Sequence, residues 1–263
     1  METRGLFRYS VLVSACTLFL VITGSVATTN EDRPMYALGE YHSWTGLAVG
    51  LLVLGLAVWL QKVEKRRWVR GLGWAAVAGV AVLAILGLLP DPQPTAVRVA
   101  HAFLAQLFFS TVVTIAISTS GSWMRGPSPV EDKSPLRLLA KITPFLVAAQ
   151  VSLGVAYRQG AMDVLPHIIG ALVVTLFILG LAMSVIYRPE HEALRPAGKV
   201  LLGVAATQVF LGLTLFSLLS MDLDPVVTIV VNLIHETTGA LTLAATVVMS
   251  LLVLRTVRAP AKE

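Results

Sequence analysis

Eight runs of about 20 mostly apolar residues, joined by short polar stretches, constrain this chain more than any other feature. They cover approximately 7–27, 42–61, 69–89, 96–118, 137–157, 166–187, 198–219 and 226–254. A helix rises about 1.5 Å per residue and the hydrocarbon core is about 30 Å thick, so about 20 apolar residues form one crossing. Lipid offers no partner to a bare N–H or C=O, so a crossing of this length must be helical. The composition agrees. The chain is 56% hydrophobic and 13% charged, against roughly 45–50% and 25% in soluble domains. The predicted fold is all-α: a polytopic membrane protein with eight transmembrane helices and loops too short for a separate soluble domain.

The first run follows Arg4 and Arg8, and Ser25-Val26-Ala27 has the small-x-small form of a signal cleavage site. Its apolar stretch from Val11 to Val26 is at or beyond the upper limit of a signal h-region. The internal repeat described below also needs this helix, so it is read as a retained span.

Net charge is +5 and the sequence pI is about 9.6, which could indicate a nucleic-acid partner. The placement of the charges indicates otherwise. With the N-terminus inside, 17 of the 20 Lys and Arg fall on inner segments, and Arg33, Arg98 and Arg158 fall outside. This is the positive-inside bias; the acidic residues, split 7 to 8, carry no such signal. The basic charge is a topology device. The expected location is a cell inner (plasma) membrane, multi-pass, with both termini cytoplasmic and no nucleic-acid role. The one cysteine, Cys16, lies within the first span and reads as a small packing residue.

The spans repeat. Span 2 has His42 and then Leu54-Gly55-Leu56-Ala57; span 6 has His167 and then Leu179-Gly180-Leu181-Ala182 at the same offset. Gly24-Ser25-Val26-Ala27 near the end of span 1 matches Gly154-Val155-Ala156 in span 5, and Leu86-Gly87-Leu88 matches Leu211-Gly212-Leu213. The predicted organisation is therefore a four-helix bundle over 1–120, a cytoplasmic linker over 121–135 and a second bundle over 136–263. Four spans per half give the halves the same orientation, related by a pseudo-twofold along the membrane normal. Gln150 and Gln208 each begin a Q-V-x-L-G pattern. An intramembrane glutamine with a glycine one turn on reads as helix-packing glue, or as the lining of a ligand cavity.

Four of the five histidines, His42, His101, His167 and His235, fall one to each even-numbered span, in its outer part. Ionisable side chains within a membrane mark function by default, and neutral imidazole is a common axial ligand of heme iron. Two imidazoles per bundle, followed by small residues such as Gly46, Ala105, Gly170 and Gly239, suit a porphyrin held between helices. No Glu-x-x-His pattern recurs, which argues against a non-heme di-metal site. His191, in the inner loop Arg188-Pro189-Glu190-His191-Glu192, reads as solvated. Glu236 adjoins His235, about 100° from it around the helix, and reads as a packing or polar-cavity residue. Glu40 lies two residues before His42; on a continuous helix these are about 160° apart, so Glu40 reaches the histidine face only if the helix starts at His42.

These features together resemble the heme A synthase family. The matching residues are His42, His101, His167 and His235 on helices 2, 4, 6 and 8, with Glu40-Tyr41-His42, His101-Ala102-Phe103-Leu104-Ala105-Gln106, the Q-V-x-L-G repeats, and Gly170-Ala171 after His167. The resemblance spans nearly the whole chain through the joint pattern. It implies oxidation of the methyl group of heme O to the formyl group of heme A, for terminal oxidase assembly. It further implies substrate heme between His42 and His101, a permanent heme b between His167 and His235, and Glu40 as the catalytic carboxylate. The implied partners are heme O synthase, the terminal oxidase and a membrane electron donor. The family's glutamate usually stands three residues before its histidine, Ser43 replaces an arginine that often follows it, and an outer-loop cysteine pair is absent here. Two other readings stay open: a diheme bis-histidine cytochrome b that only transfers electrons, and a transporter with histidines as proton-coupling groups.

Overall fold

The computed structural model describes residues 2–29, 36–90, 92–218, 221 and 225–258, with side chains for all of these except 2–3, 28–29, 36–40 and 225. Among the described residues, eight helices are long and apolar enough to cross a membrane. They are α1 (Glu2–Thr29), α2 (Tyr36–Val63), α3 (Arg67–Gly87), α4 (Thr95–Thr119), α6 (Leu136–Arg158), α7 (Val164–Ile186), α8 (Arg195–Leu218) and α9 (Pro225–Thr256); α5 (Gly121–Arg125) is one short turn. The chain is an all-α, multi-pass membrane protein. Exposed Trp44 and Tyr41 near one end of α2, with Trp68 and Trp74 on α3 and Tyr187 after α7, fit the aromatic belts of a membrane interface.

The helices stop where the sequence supplies breakers. Pro90, Pro92 and Pro94 separate α3 from α4, and Gln93 closes the end of α3 by donating to the Leu86 and Leu89 carbonyls at 3.3 and 3.0 Å. Gly160, at φ +69°, ends α6 in the left-handed region that a side chain disfavours.

The chain divides into two compact units: Met1–Arg125 with Asp222–Thr237, and Gly126–Met221 with Thr238–Glu263. The sequence reading kept 226–254 whole within the second half; here 222–237 group with the first unit. In the first unit α1 packs on α2 and α4, and α3 packs on the same two, an antiparallel four-helix arrangement. Its core comprises Leu6, Val13, Val49, Val53, Leu56, Leu60, Val69, Ala76, Leu83, Phe108, Val112 and Ile115. Among the described side chains, none of α2 before Val49 and none of α4 before Gln106 is buried. The core is thus densest away from the ends that carry His42 and His101.

In the second unit α7 packs on both α6 and α8. The segment before α6 is not a free linker: β1 (Val130–Glu131) pairs in parallel with β2 (Val257–Arg258). Arg137 donates to the Leu254 carbonyl at 3.2 Å and also to that of Val257, occupying acceptors at the α9 terminus. Asp132 accepts from Arg188 at 3.0 Å and from His191 Nε2 at 2.8 Å. His191 is 1% exposed, which corrects the reading of it as solvated. Its partner is a carboxylate 59 residues away, not the glutamates beside it. Burial tends to raise the Asp132 carboxyl, but bonds from Ser134 and His191 and the charge of Arg188 outweigh this and hold it at about 2.

Candidate functional site

The four sequence-predicted histidines occupy α2, α4, α7 and α9. The first two meet. His42 and His101 have ring centres 6.4 Å apart with planes at 64°. Two imidazoles on opposite sides of one metal, each bonded at about 2 Å as histidine nitrogens bond zinc, have centres about 6 Å apart. A protein-bound zinc takes three or four protein ligands. A porphyrin fills the equatorial positions of its iron and leaves axial ones to the protein, so a pair at this separation fits heme.

Each ring lies against a glycine on the helix before its own. A Cβ on Gly24 would come within 2.7 Å of His42, one on Gly87 within 3.2 Å of His101, and one on Gly154 within 2.8 Å of His167. Only glycine lets the rings approach those helices so closely. Each ring also faces a backbone carbonyl one turn before its glycine: Leu20, Leu83 and Gln150. Three histidines therefore have the same seat in three helix pairs.

The hydrogen bonds at Nδ1 differ. The Thr23 hydroxyl lies 3.0 Å from the Leu20 carbonyl and 3.2 Å from His42 Nδ1. A hydroxyl has one proton, so it serves either the Leu20 carbonyl or His42 Nδ1, and the tautomer of His42 decides which. His101 Nδ1 is buried and has no hydrogen-bond partner among the described residues, so this nitrogen constrains the ring little. In the second unit, Gln150 Nε2 lies 2.9 Å from His167 Nδ1 and 2.8 Å from the His167 carbonyl. A carbonyl can only accept, so the amide nitrogen faces both and Nδ1 accepts.

His235 lies in the part of α9 that groups with the first unit. Beside it, Glu236 accepts from Ser25 of α1 and from Asn232 at 3.1 Å. Ser25 adjoins Gly24, the glycine under His42, so α1 places a carboxylate of α9 in the His42 neighbourhood. Sequence reasoning saw Glu236 only as a neighbour of His235. The position of Glu40 is also clarified. α2 begins at Tyr36, so Glu40 and His42 stand on continuous helix, about 160° apart around it, and the condition for a shared face is not met. The Glu40 side chain lies outside the described residues.

The glutamines of the two Q-V-x-L-G patterns occupy related positions. Gln150 lies against Gly170, three residues after His167; Gln208 lies against Gly239, four after His235, where an added Cβ would be 3.4 Å from its amide nitrogen. The class established by fold and composition is a multi-pass helical membrane protein. No protein-family model matches the chain and no curated protein matches it significantly, so the site must be read from its residues.

Proposed function

We propose that this chain is a heme-binding membrane oxidoreductase of the heme A synthase type, converting the methyl group of heme O to the formyl group of heme A. The observation that carries the reading is the His42–His101 pair, 6.4 Å between ring centres and seated on Gly24 and Gly87. His42 and His101 hold the substrate heme, and His167 and His235 hold a permanent heme b. When bound, heme supplies the redox-active iron that the oxidation needs.

The residues of the chain bind and orient. The Thr23 hydroxyl, 3.2 Å from His42 Nδ1, orients the ring. Gly24 and Gly87 let the rings lie flush with α1 and α3. Less complete burial at the histidine-bearing ends of α2 and α4 suits a group that must enter and leave. Glu40, two residues before His42, and Glu236, which accepts from Ser25 beside Gly24, are the two candidate carboxylates. Glu40→Gln against Glu236→Gln separates their roles. A terminal oxidase, heme O synthase and a membrane electron donor are the partners this activity requires.

The test is to purify the full chain in detergent from cells that make heme O, then extract and identify its hemes. Heme b together with heme O, heme A or a hydroxylated intermediate supports the proposal. Two hemes b per chain would replace it with the diheme electron carrier, and no heme at all would leave the transporter.

A further inference from the structure

We propose that the groove between α8 and α9, opening at Arg195 and Lys199, is a binding site for one anionic phospholipid. The two cations take its phosphate and the groove takes one acyl chain. The inference is independent of the proposed function, and every second-unit residue it uses lies within that one unit.

Three observations carry it. The first is room. A groove of about 400 Å³ runs along Lys199, Gly203 and Thr207 of α8 and is faced by Leu241 of α9. That is within the range of small-molecule sites, roughly 300–1,000 Å³. A Cβ added to Gly203 would meet no atom within 4 Å, so the glycine leaves the space open. Further along, the helices close up: a Cβ added to Gly239 of α9 would stand 3.4 Å from the Gln208 amide nitrogen of α8.

The second is depth. Arg195, Lys199, Gly203 and Thr207 follow at intervals of four along one side of α8. From Arg195 to Thr207 the helix rises about 18 Å, close to half of a hydrocarbon core about 30 Å thick. The groove with its basic end is therefore as deep as one leaflet. Its walls suit a hydrocarbon chain. Val200 and Val204 are apolar, and the Thr207 hydroxyl is satisfied by donating to the Gly203 carbonyl at 3.0 Å.

The third is charge. Among the described residues, Arg195 Nε is buried with no hydrogen-bond partner, and neither Arg195 nor Lys199 forms an ion pair. A buried donor left unpaired is costly, and a phosphate oxygen matches a guanidinium. Cations in the first two turns of α8 also oppose its dipole, so helix stability does not account for them, whereas an anion relieves them. The positive-inside bias accounts for their sign but not for their place at the mouth of a groove. Basic pockets between spanning helices hold anionic head groups on the same grounds. A zwitterionic lipid brings its own cation to the phosphate, so the charge selects an anionic one.

The test uses the full chain in detergent with phosphatidylglycerol, phosphatidylcholine or inorganic phosphate added, and native mass spectrometry counts the lipids retained. Each basic residue near an anionic lipid surface contributes about fivefold in affinity. The pair should therefore favour phosphatidylglycerol over phosphatidylcholine by about 25-fold, at one lipid per chain. Arg195→Gln combined with Lys199→Gln should bring that preference close to unity. Gly203→Leu keeps both cations but fills the groove, and should lose the retained lipid. Lys62→Gln, an equal kind of charge loss in the last turn of α2, should change nothing. Equal retention of the two lipids by the wild type would overturn the inference, as would a preference that survives both the double variant and Gly203→Leu. A loss as large in Lys62→Gln would make the preference an effect of net charge. Displacement of the lipid by an equal concentration of inorganic phosphate would leave an ion site without a chain. Either result also overturns it.

Discussion

His42 and His167 occupy matching seats with different hydrogen-bond partners. Both rings lie on a glycine of the preceding helix, with an added Cβ 2.7 Å away at Gly24 and 2.8 Å away at Gly154. At His42, Nδ1 meets the Thr23 hydroxyl; at His167, Nδ1 accepts from the Gln150 amide. The repeat thus preserves how closely the ring approaches and varies which side chain meets Nδ1. Approach is fixed by backbone and glycine, which a duplicated helix carries unchanged. The partner of Nδ1 depends on one side chain, and a single substitution alters it.

The largest expected effect tests whether the two sites are independent. His101→Ala removes one axial partner of the first pair and should abolish bis-histidine heme there while leaving the heme proposed at His167 in place. His167→Ala should do the reverse. Heme content per chain, with reduced-minus-oxidised spectra, reads both. Loss of all heme from either replacement would mean that the sites are one cooperative unit and would break the comparison.

Next comes the seat itself. Gly24→Val would put two methyl groups into the His42 ring, beyond what a small shift can relieve, and should remove most first-unit heme from a chain that still folds. Gly71→Ala is the control: it lies in α3 with no atom within 4 Å of an added Cβ. Alanine there should be neutral or stabilise the helix by about 0.5–1 kcal/mol. Equal heme occupancy in Gly24→Val and the wild type would show that the ring does not need its seat.

Spans, breakers and the four histidines were legible in the sequence because each depends on local composition or a repeated offset. The seats were not. The glycine-to-histidine separations are 18, 14 and 13 residues for Gly24–His42, Gly87–His101 and Gly154–His167, since the turns between helices differ in length, so no single spacing reveals the pairing. Thr23 and Gln150 are ordinary polar residues of apolar helices until helix rotation aims them at a ring. His191 misled for the same reason: flanking glutamates suggested solvent, whereas the chain folds Asp132 onto it. The start of α2 at Tyr36, which separates Glu40 from the His42 face, falls where the apolar pattern has already faded.

Ion pairs outside the membrane spans extend the comparison. In the first unit Glu64 pairs with Arg66, two residues on, at 2.7 Å, and Arg66 also donates to the Ser118 carbonyl; these bonds hold the Glu64 carboxyl below its usual range. In the second unit the clasp of Asp132 with Arg188 and His191 ties distant segments together. The Asp132 carboxyl, normally near 4, lies at about 2 in the folded protein. A depressed carboxyl stabilises the fold above its unfolded value and stops doing so as pH falls through the folded one. The contribution is about 2 kcal/mol, present at neutral pH and lost between about pH 4 and 2. Thermal unfolding in detergent should show that acid loss in wild type, and Asp132→Asn should be less stable at pH 7 with a flatter acid dependence. An unchanged acid profile in Asp132→Asn would place the sensitivity elsewhere.

The smallest expected effect is the most discriminating. Thr23→Val keeps the shape of the side chain and removes the hydroxyl that meets His42 Nδ1. A neutral hydrogen bond contributes about 0.5–1.5 kcal/mol net, so heme affinity of the first unit should fall by roughly two- to tenfold. Release should accelerate by less than it does in Gln150→Leu, because the Gln150 amide holds both Nδ1 and the carbonyl of His167 whereas Thr23 meets Nδ1 alone. Competition between the two purified variants and apomyoglobin, each in a background that leaves a single heme, measures the two effects on one scale. If Thr23→Val and Gln150→Leu accelerate release equally, the difference in partner at Nδ1 has no kinetic consequence. The two seats would then be equivalent, and any difference in retention would lie with His101 and His235.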